Sequence, residues 1–242
     1  MIKQAVILAG GRGERLRPIT DTIPKPMAQS NGTPFLDYLL ESIVQVGICR
    51  VLLLVGYCHD VIIRHCDRIP PQKLKIQYSI GTVEDQTGRR LINAYDLLED
   101  HFLLLYGDNF WPIELEAMTR HYLRKKARVS TTVFSNVQGT GEYGVHNNIE
   151  VGEDGFVNRY DKKRQSVGLN GVDIGYFIVD KKILDPTVSS NISFEENVLP
   201  DLVAHRQLVA YVTDTQYYYI TDTRSLNNFE RVVREQAIRP LQ

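Results

Sequence analysis

Cysteine is scarce in this chain: Cys49, Cys58 and Cys66 are the only three in 242 residues. An odd number with no C-x-x-C spacing excludes a disulfide framework or a zinc cage and fits a reducing compartment. No sign of charge dominates either. Lys and Arg number 28 against 29 Asp and Glu, a formal net charge of −1. Such a balance gives no general attraction to nucleic acid or to an anionic membrane, so any phosphate site must be local. No apolar run approaches the roughly 18 residues of a membrane span. The start, Met1-Ile2-Lys3-Gln4 and five apolar residues before Gly10, is too short for a signal peptide's apolar region. These absences lead to the expectation of a cytoplasmic protein with neither nucleic acid nor membrane as partner.

Internal repeats, low-complexity tracts and Gly/Ser linkers are also missing. What is present has the 43% hydrophobic and 24% charged balance of an ordinary globular protein. Ala5-Val6-Ile7-Leu8-Ala9, Val51–Val55 and Phe102–Tyr106 are continuous apolar runs, the pattern of strands buried on both faces. Lys75–Ser79 reads as a further strand. Phe35, Leu39, Ile43 and Val46 recur at helical spacing and Gly47 closes that helix. Helical patterns also fall near His59–Asp67, Arg89–Leu98 and Glu114–Lys126. This alternation predicts a mostly parallel sheet with helices on both faces. After Val129 short strands dominate: 129–134, 144–151, 156–160, 172–179, 208–212 and 217–220. Helices are expected at Phe194–His205 and near Arg224–Gln236. The expectation is one domain over 1–242. Residues 1–127 form a nucleotide-binding lobe, and 128–242 extend the sheet and add a smaller substrate-binding layer.

Leu8-Ala9-Gly10-Gly11-Arg12-Gly13-Glu14-Arg15-Leu16 follows the first strand directly. Glycines there let backbone N–H groups turn toward an anion and form a nest for phosphate oxygens. The phosphate-loop string G-x-x-x-x-G-K-[ST] does not occur in the chain. A dinucleotide fingerprint lacks its third glycine, because Leu16 stands there, and the second strand ends Val55-Gly56-Tyr57 without a ribose carboxylate. A plain tight turn would need neither the neighbouring arginines nor a lysine flanked by prolines.

That loop, followed by Pro24-Lys25-Pro26-Met27, resembles the signature of the sugar-1-phosphate nucleotidyltransferases. The likeness spans essentially the whole chain and is nearest in look to the short manno-heptose 1-phosphate guanylyltransferase type. It implies an α/β fold: a Rossmann-like, mostly parallel mixed sheet flanked by helices, with a smaller sugar-binding β layer. It implies an enzyme that joins an NTP to a sugar 1-phosphate, releasing pyrophosphate, with Mg2+ as cofactor. The expected pair is GTP with D-glycero-D-manno-heptose 1-phosphate, for lipopolysaccharide or capsule. Cytidylyl or uridylyl transfer to another sugar 1-phosphate or to phosphocholine, and a non-catalytic nucleotide-sugar sensor, stand as alternatives. Self-association is left open.

Residue by residue, the resemblance gives Leu8, Ala9, Gly10, Gly11, Arg12 and Gly13 to the nucleotide phosphates. Arg15 is expected on the leaving β- and γ-phosphates, and Lys25 on the α-phosphate, with Pro24 and Pro26 restricting its backbone. Asp108, in Gly107-Asp108-Asn109 at the C-terminal end of a buried run, matches the family's metal site, where it also meets the nucleotide. In Tyr219-Ile220-Thr221-Asp222-Thr223 a strict match puts Ile220 at the second ligand position. Asp222-Thr223 resembles the Asp-Thr pair of glucose-1-phosphate cytidylyltransferases, so Asp222 is taken as second ligand, with a helix N-cap as its other reading. Gln77, Thr87 and Gly88 fall where the family reads the base. Tyr143 and Gly144 match a Tyr-Gly-Val segment that contacts the sugar. Lys163 matches the lysine that binds the sugar phosphate, while Lys162 stands where a glutamate is usual. Asp173 is expected to accept a sugar hydroxyl.

Overall fold

Seven strands hydrogen-bond into one sheet in the computed structural model, which describes residues 2–135 and 146–241. In chain order the strands are β1 (Gln4–Ala9), β2 (Gln29–Ser30), β3 (Thr33–Pro34), β4 (Arg50–Val55), β5 (Lys75–Ile80), β6 (His101–Tyr106) and β7 (Asn109–Phe110). They continue as β8 (Val129–Phe134), β9 (Ile149–Val151), β10 (Val157–Tyr160), β11 (Val172–Asp180), β12 (Leu208–Thr213) and β13 (Tyr218–Tyr219). The helices are α1 (Phe35–Gln45), α2 (His59–Cys66), α3 (Thr87–Asn93), α4 (Leu115–Lys125), α5 (Leu199–Ala204) and α6 (Thr223–Glu235). The sheet order is β12-β8-β11-β6-β1-β4-β5. Parallel pairs join β1 to β4, β4 to β5 and β12 to β8, and β11 runs antiparallel to β8. This is the mostly parallel α/β sheet expected from the sequence. Its interior strands are the apolar runs: Ala5, Val6, Ile7, Leu52, Leu53, Phe102 and Leu103 are all fully buried.

Contacts divide the chain into two compact units that interleave along the sequence. One comprises Lys3–Glu84, Leu105–Ile113 and Tyr218–Gln242; the other comprises Met1–Ile2, Asp85–Leu104 and Glu114–Tyr217. The first unit holds a core in which Leu16, Phe35, Leu39, Phe110, Ile220 and Phe229 pack together. The rings of Phe35 and Phe110 lie 4.8 and 5.4 Å from that of Phe229, within the range of favourable aromatic pairs. This cluster fastens α6 and the short β7–β13 ladder beside the glycine-rich loop. In the second unit the hairpin of β9 and β10 is a separate two-stranded ladder.

Local differences from the sequence reading have identifiable causes. The helix expected over 194–205 begins as a single π turn at Phe194–Val198 and becomes α-helical only at Leu199. Pro200 has no N–H to donate, which suits it to a first turn and not to a helix interior. The pattern at 89–98 resolves into α3, starting at Thr87, and a 3-10 turn over Tyr95–Leu97. The strand expected at 217–220 is confined to Tyr218–Tyr219 and pairs with β7, outside the seven-stranded sheet. Among the described residues no helix is long and apolar enough to cross a membrane.

Candidate functional site

In the first unit the chain leaves β1 at Ala9 and turns through Gly10–Gly13. Gly13 has φ +66°, and a Cβ there would lie 3.0 Å from the Lys25 Cβ and 3.2 Å from the Thr20 Cγ2. A side chain at this position is therefore disfavoured twice, by backbone conformation and by space. The Gly13 carbonyl accepts from the Leu16 N–H and the Thr20 hydroxyl, each at 2.9 Å, which pins the loop to the turn after it. Gly11 has open space where a Cβ would stand. Arg12 is exposed, 3.4 Å from Glu84 and over the ring of Tyr57. Arg12, Gly13, Glu14, Arg15, Lys25 and Val83 line an open cleft of about 380 Å³.

Lys25 opens a 3-10 turn, Lys25–Met27, after an extended Pro24, and its carbonyl accepts from the Ala28 N–H at 3.0 Å. Its Nζ donates to the Asp108 Oδ2 at 2.9 Å, with side-chain exposures of 13% and 30%. The approach of Asp108 depends on Gly107, whose N–H donates to the Leu8 carbonyl at 3.0 Å. A Cβ on Gly107 would lie 2.6 Å from that same oxygen. The glycine in Gly107-Asp108-Asn109 is thus a close-approach residue that sets the carboxylate against the lysine.

The Ile220 N–H donates to the Asp108 carbonyl at 3.0 Å, and Tyr219 pairs with Asn109. These bonds bring the segment containing Asp222 alongside that of Asp108. Ile220 itself is buried in the core and offers no ligand atom. Asp222 is the N-cap of α6: its Oδ1 accepts from the Ser225 N–H at 2.8 Å, and the Ser225 hydroxyl accepts from the Asp222 N–H at 2.9 Å. Donation from the Ser225 backbone holds the Asp222 carboxyl below its ordinary value, and the nearby Arg15 charge lowers it further. The capping reading of Asp222 is therefore realised, with Arg15 near enough to act on the same carboxylate. Among the described residues no three His, Cys, Asp or Glu side chains gather as a metal cluster.

In the second unit Asp173, on β11, is 9% exposed. Its carboxylate accepts from the Thr131 hydroxyl at 2.9 Å, the Gly175 N–H at 3.0 Å and the Tyr160 hydroxyl at 3.1 Å. Burial pushes its pKa up to about 6, against the lowering effect of those donors. The Tyr160 hydroxyl is likewise raised, first by burial and then by the charges of Asp173 and Glu195. Lys163 is exposed on a turn whose N–H groups at 163, 165 and 166 all point to the Asp161 carboxylate. Lys162 pairs with Glu196 at 3.3 Å.

Thr87 and Gly88 belong to this second unit, whereas Gln77 is exposed on β5 of the first. The Thr87 hydroxyl donates to the Glu195 Oε2 at 2.6 Å and accepts from the Phe194 N–H at 2.9 Å. A Cβ on Gly88 would meet the Ile192 carbonyl oxygen at 2.9 Å and the Phe194 N at 3.2 Å. Packing of α3 on the 192–195 segment thus accounts for both residue types without a nucleobase. Tyr143 and Gly144 lie outside the described residues. Sequence reasoning missed Thr131, Tyr160 and Glu195. No local motif marks them, and each bonds a partner at least 13 residues away.

The family described as nucleotidyl transferase matches residues 4–233. A mannose-1-phosphate guanylyltransferase catalytic subunit beta from Danio rerio is 29% identical over 212 residues, covering 86% of this chain; the chain spans 58% of that relative's length. A D-glycero-alpha-D-manno-heptose 1-phosphate guanylyltransferase from Aneurinibacillus thermoaerophilus is 27% identical over 218 residues, covering 88% of this chain and 91% of the relative. Among solved structures, HddC from Yersinia pseudotuberculosis superposes with a TM-score of 0.80 at 25% identity, over 95% of this chain and 99% of the other. The same protein has been solved complexed with GMP-PN, with a TM-score of 0.77.

Proposed function

The chain belongs to the nucleotidyl transferase family, and from that premise we propose that it transfers a nucleoside monophosphate from an NTP to a sugar 1-phosphate. A phosphate oxygen of the sugar attacks the α-phosphorus, the bond to the β-phosphate breaks, and pyrophosphate leaves carrying the charge. The observation that carries the reading is the cluster of Lys25, Asp108 and Arg15 around the glycine-rich loop, with Lys25 Nζ 2.9 Å from Asp108. Anions must meet in this reaction, so catalysis rests on positioning and charge neutralisation. The loop amides of Gly10–Gly13 cradle the phosphates, and Arg15 grips the leaving pair with its forked guanidinium. Lys25 turns from Asp108 to the α-phosphate, where its contact strengthens as charge develops. On the sugar side Lys163 holds the phosphate, and Asp173 acts through the hydroxyl of Tyr160, which it already orients.

The donor chemistry fits Mg2+. Asp108 and Asp222 would hold the ion through hard carboxylate oxygens carried on adjoining segments. When bound, the ion screens the phosphates and favours the developing charge on the leaving group. Capping by one Asp222 oxygen orients that carboxylate.

GTP and a manno-heptose 1-phosphate are the proposed pair. The likeness to the Aneurinibacillus enzyme over 91% of its length supports this choice. The test is pyrophosphate release with magnesium over four NTPs and a panel of sugar 1-phosphates. Release with GTP and the heptose substrate alone is the expected result. Release with CTP or UTP would move the base assignment, and nucleotide binding without release would leave a sensor.

A further inference from the structure

Glu195 sits in the π turn at Phe194–Val198, where the Leu199 N–H reaches back to the Phe194 carbonyl. Such turns re-aim side chains out of helical register and are frequent at functional sites. Two hydroxyls, Thr87 at 2.6 Å and Ser193 at 2.9 Å, both donate to the same oxygen, Oε2. That arrangement anchors one carboxylate oxygen and leaves Oε1 without a protein donor among the described residues. Glu195 is half-buried, and its charge acts on both Tyr160 and Asp173. A second carboxylate beside a buried aspartate is an electrostatic cost, and arrangements of that kind concentrate where a ligand relieves them. Of the cations on the Asp161 turn, Arg164 acts on Tyr160 and donates to the His146 carbonyl, and Lys162 is held by Glu196.

We propose that Glu195 determines sugar specificity, its Oε1, left open by the Thr87 and Ser193 bonds to Oε2, accepting one hydroxyl of the sugar 1-phosphate. The assignment rests on the transferase reading above. Thr87 and Ser193 act as positioning residues for it. A neutral, hydroxylated ring is the matching ligand class, since the open oxygen needs one donor and the Tyr160 hydroxyl, near enough to feel the Glu195 charge, can accept another.

The experiment is steady-state pyrophosphate release by wild type, Glu195→Gln and Glu195→Asp, with the monodeoxy series of the accepted sugar 1-phosphate. In Glu195→Gln the amide oxygen can keep Thr87 and Ser193, which turns the NH2 toward the sugar as a donor where an acceptor is needed. The KM for the sugar phosphate should rise about 10–100-fold, the range of a lost hydrogen bond to a charged group. The KM for the NTP should stay within about twofold. One deoxy sugar should be penalised about tenfold or more in wild type and no further in the variant. Glu195→Asp withdraws the carboxylate by one methylene and should give the same selective loss, which covers failure of the glutamine variant to fold. An unchanged sugar KM, or equal rises for both substrates, overturns the Glu195 assignment while wild-type turnover upholds the transferase reading. A wild-type protein silent across the panel overturns that reading, and this assignment with it.

Discussion

Replacing Gly107 by alanine tests how the strand end sets Asp108 against Lys25. The added Cβ would stand 2.6 Å from the Leu8 carbonyl oxygen, 3.3 Å from the Pro26 Cγ and 3.4 Å from the Ile7 Cγ2. Relief cannot come from a flexible side chain, because the nearest atom is backbone and Leu8 is also paired with Leu54 in β4. The strand end must shift by several tenths of an ångström. Overpacking of this kind costs about 1–3 kcal/mol. At about 2–4 °C per kcal/mol for a chain of this size, Tm should fall by about 2–12 °C. The residue displaced next is Asp108, so its contact with Lys25 is lost or lengthened. Misplacement of a catalytic group by about 1 Å can cost about 100-fold in rate. The assay is a thermal melt paired with kcat for pyrophosphate release on the same preparation. A Tm within 1 °C of wild type and an unaltered kcat would refute the close-approach argument.

Lys25→Ala should lower kcat by about 100- to 1000-fold with little change in the KM for NTP, as expected of a contact made mainly in the transition state; a change confined to KM would make it a ground-state binder. Asp222→Ala removes the α6 cap and should cost about 0.5–2 kcal/mol at pH 7. The Asp222 carboxyl is lowered in the folded protein, so its contribution is present above the unfolded value and fades as pH falls through the folded one. Melts at pH 7 and pH 3 should therefore show the gap between wild type and variant narrowing in acid. Asp173 is raised to about 6, so ionising it opposes folding increasingly as pH rises from about 4 to 6. Asp173→Asn should thus be more stable than wild type at pH 8, with the advantage vanishing near pH 4. Denaturant midpoints across that range check the sign.

Burial on both faces made β1, β4 and β6 legible, because uninterrupted apolar runs leave few alternatives. The glycine-rich loop and the Pro24-Lys25-Pro26 segment were legible for a related reason: residue types with unusual backbone demands stood next to cations. Partners distant in sequence were not. Nothing near Lys25 tells that Asp108, 83 residues on, will accept a hydrogen bond from its Nζ. Thr87 and Gly88 were recognisable as special, yet the demand on them comes from Ile192, Phe194 and Glu195, over a hundred residues away. The π turn at 194–198 interrupts what reads as one amphipathic helix, and only Pro200 hinted at the break. Asp222 illustrates a role that both readings touch: the N-cap is a local property and appears in the structure as the sequence allowed.

Attack at the α-phosphorus is the central claim, and isotope routing tests it most directly. The protein is incubated with magnesium, D-glycero-D-manno-heptose 1-phosphate and GTP labelled at either the α- or the γ-phosphate. The account predicts α-label in the nucleotide sugar and γ-label in pyrophosphate, in equal amounts. Label from the γ-position in the sugar product, or α-label released as free nucleoside monophosphate, would contradict it.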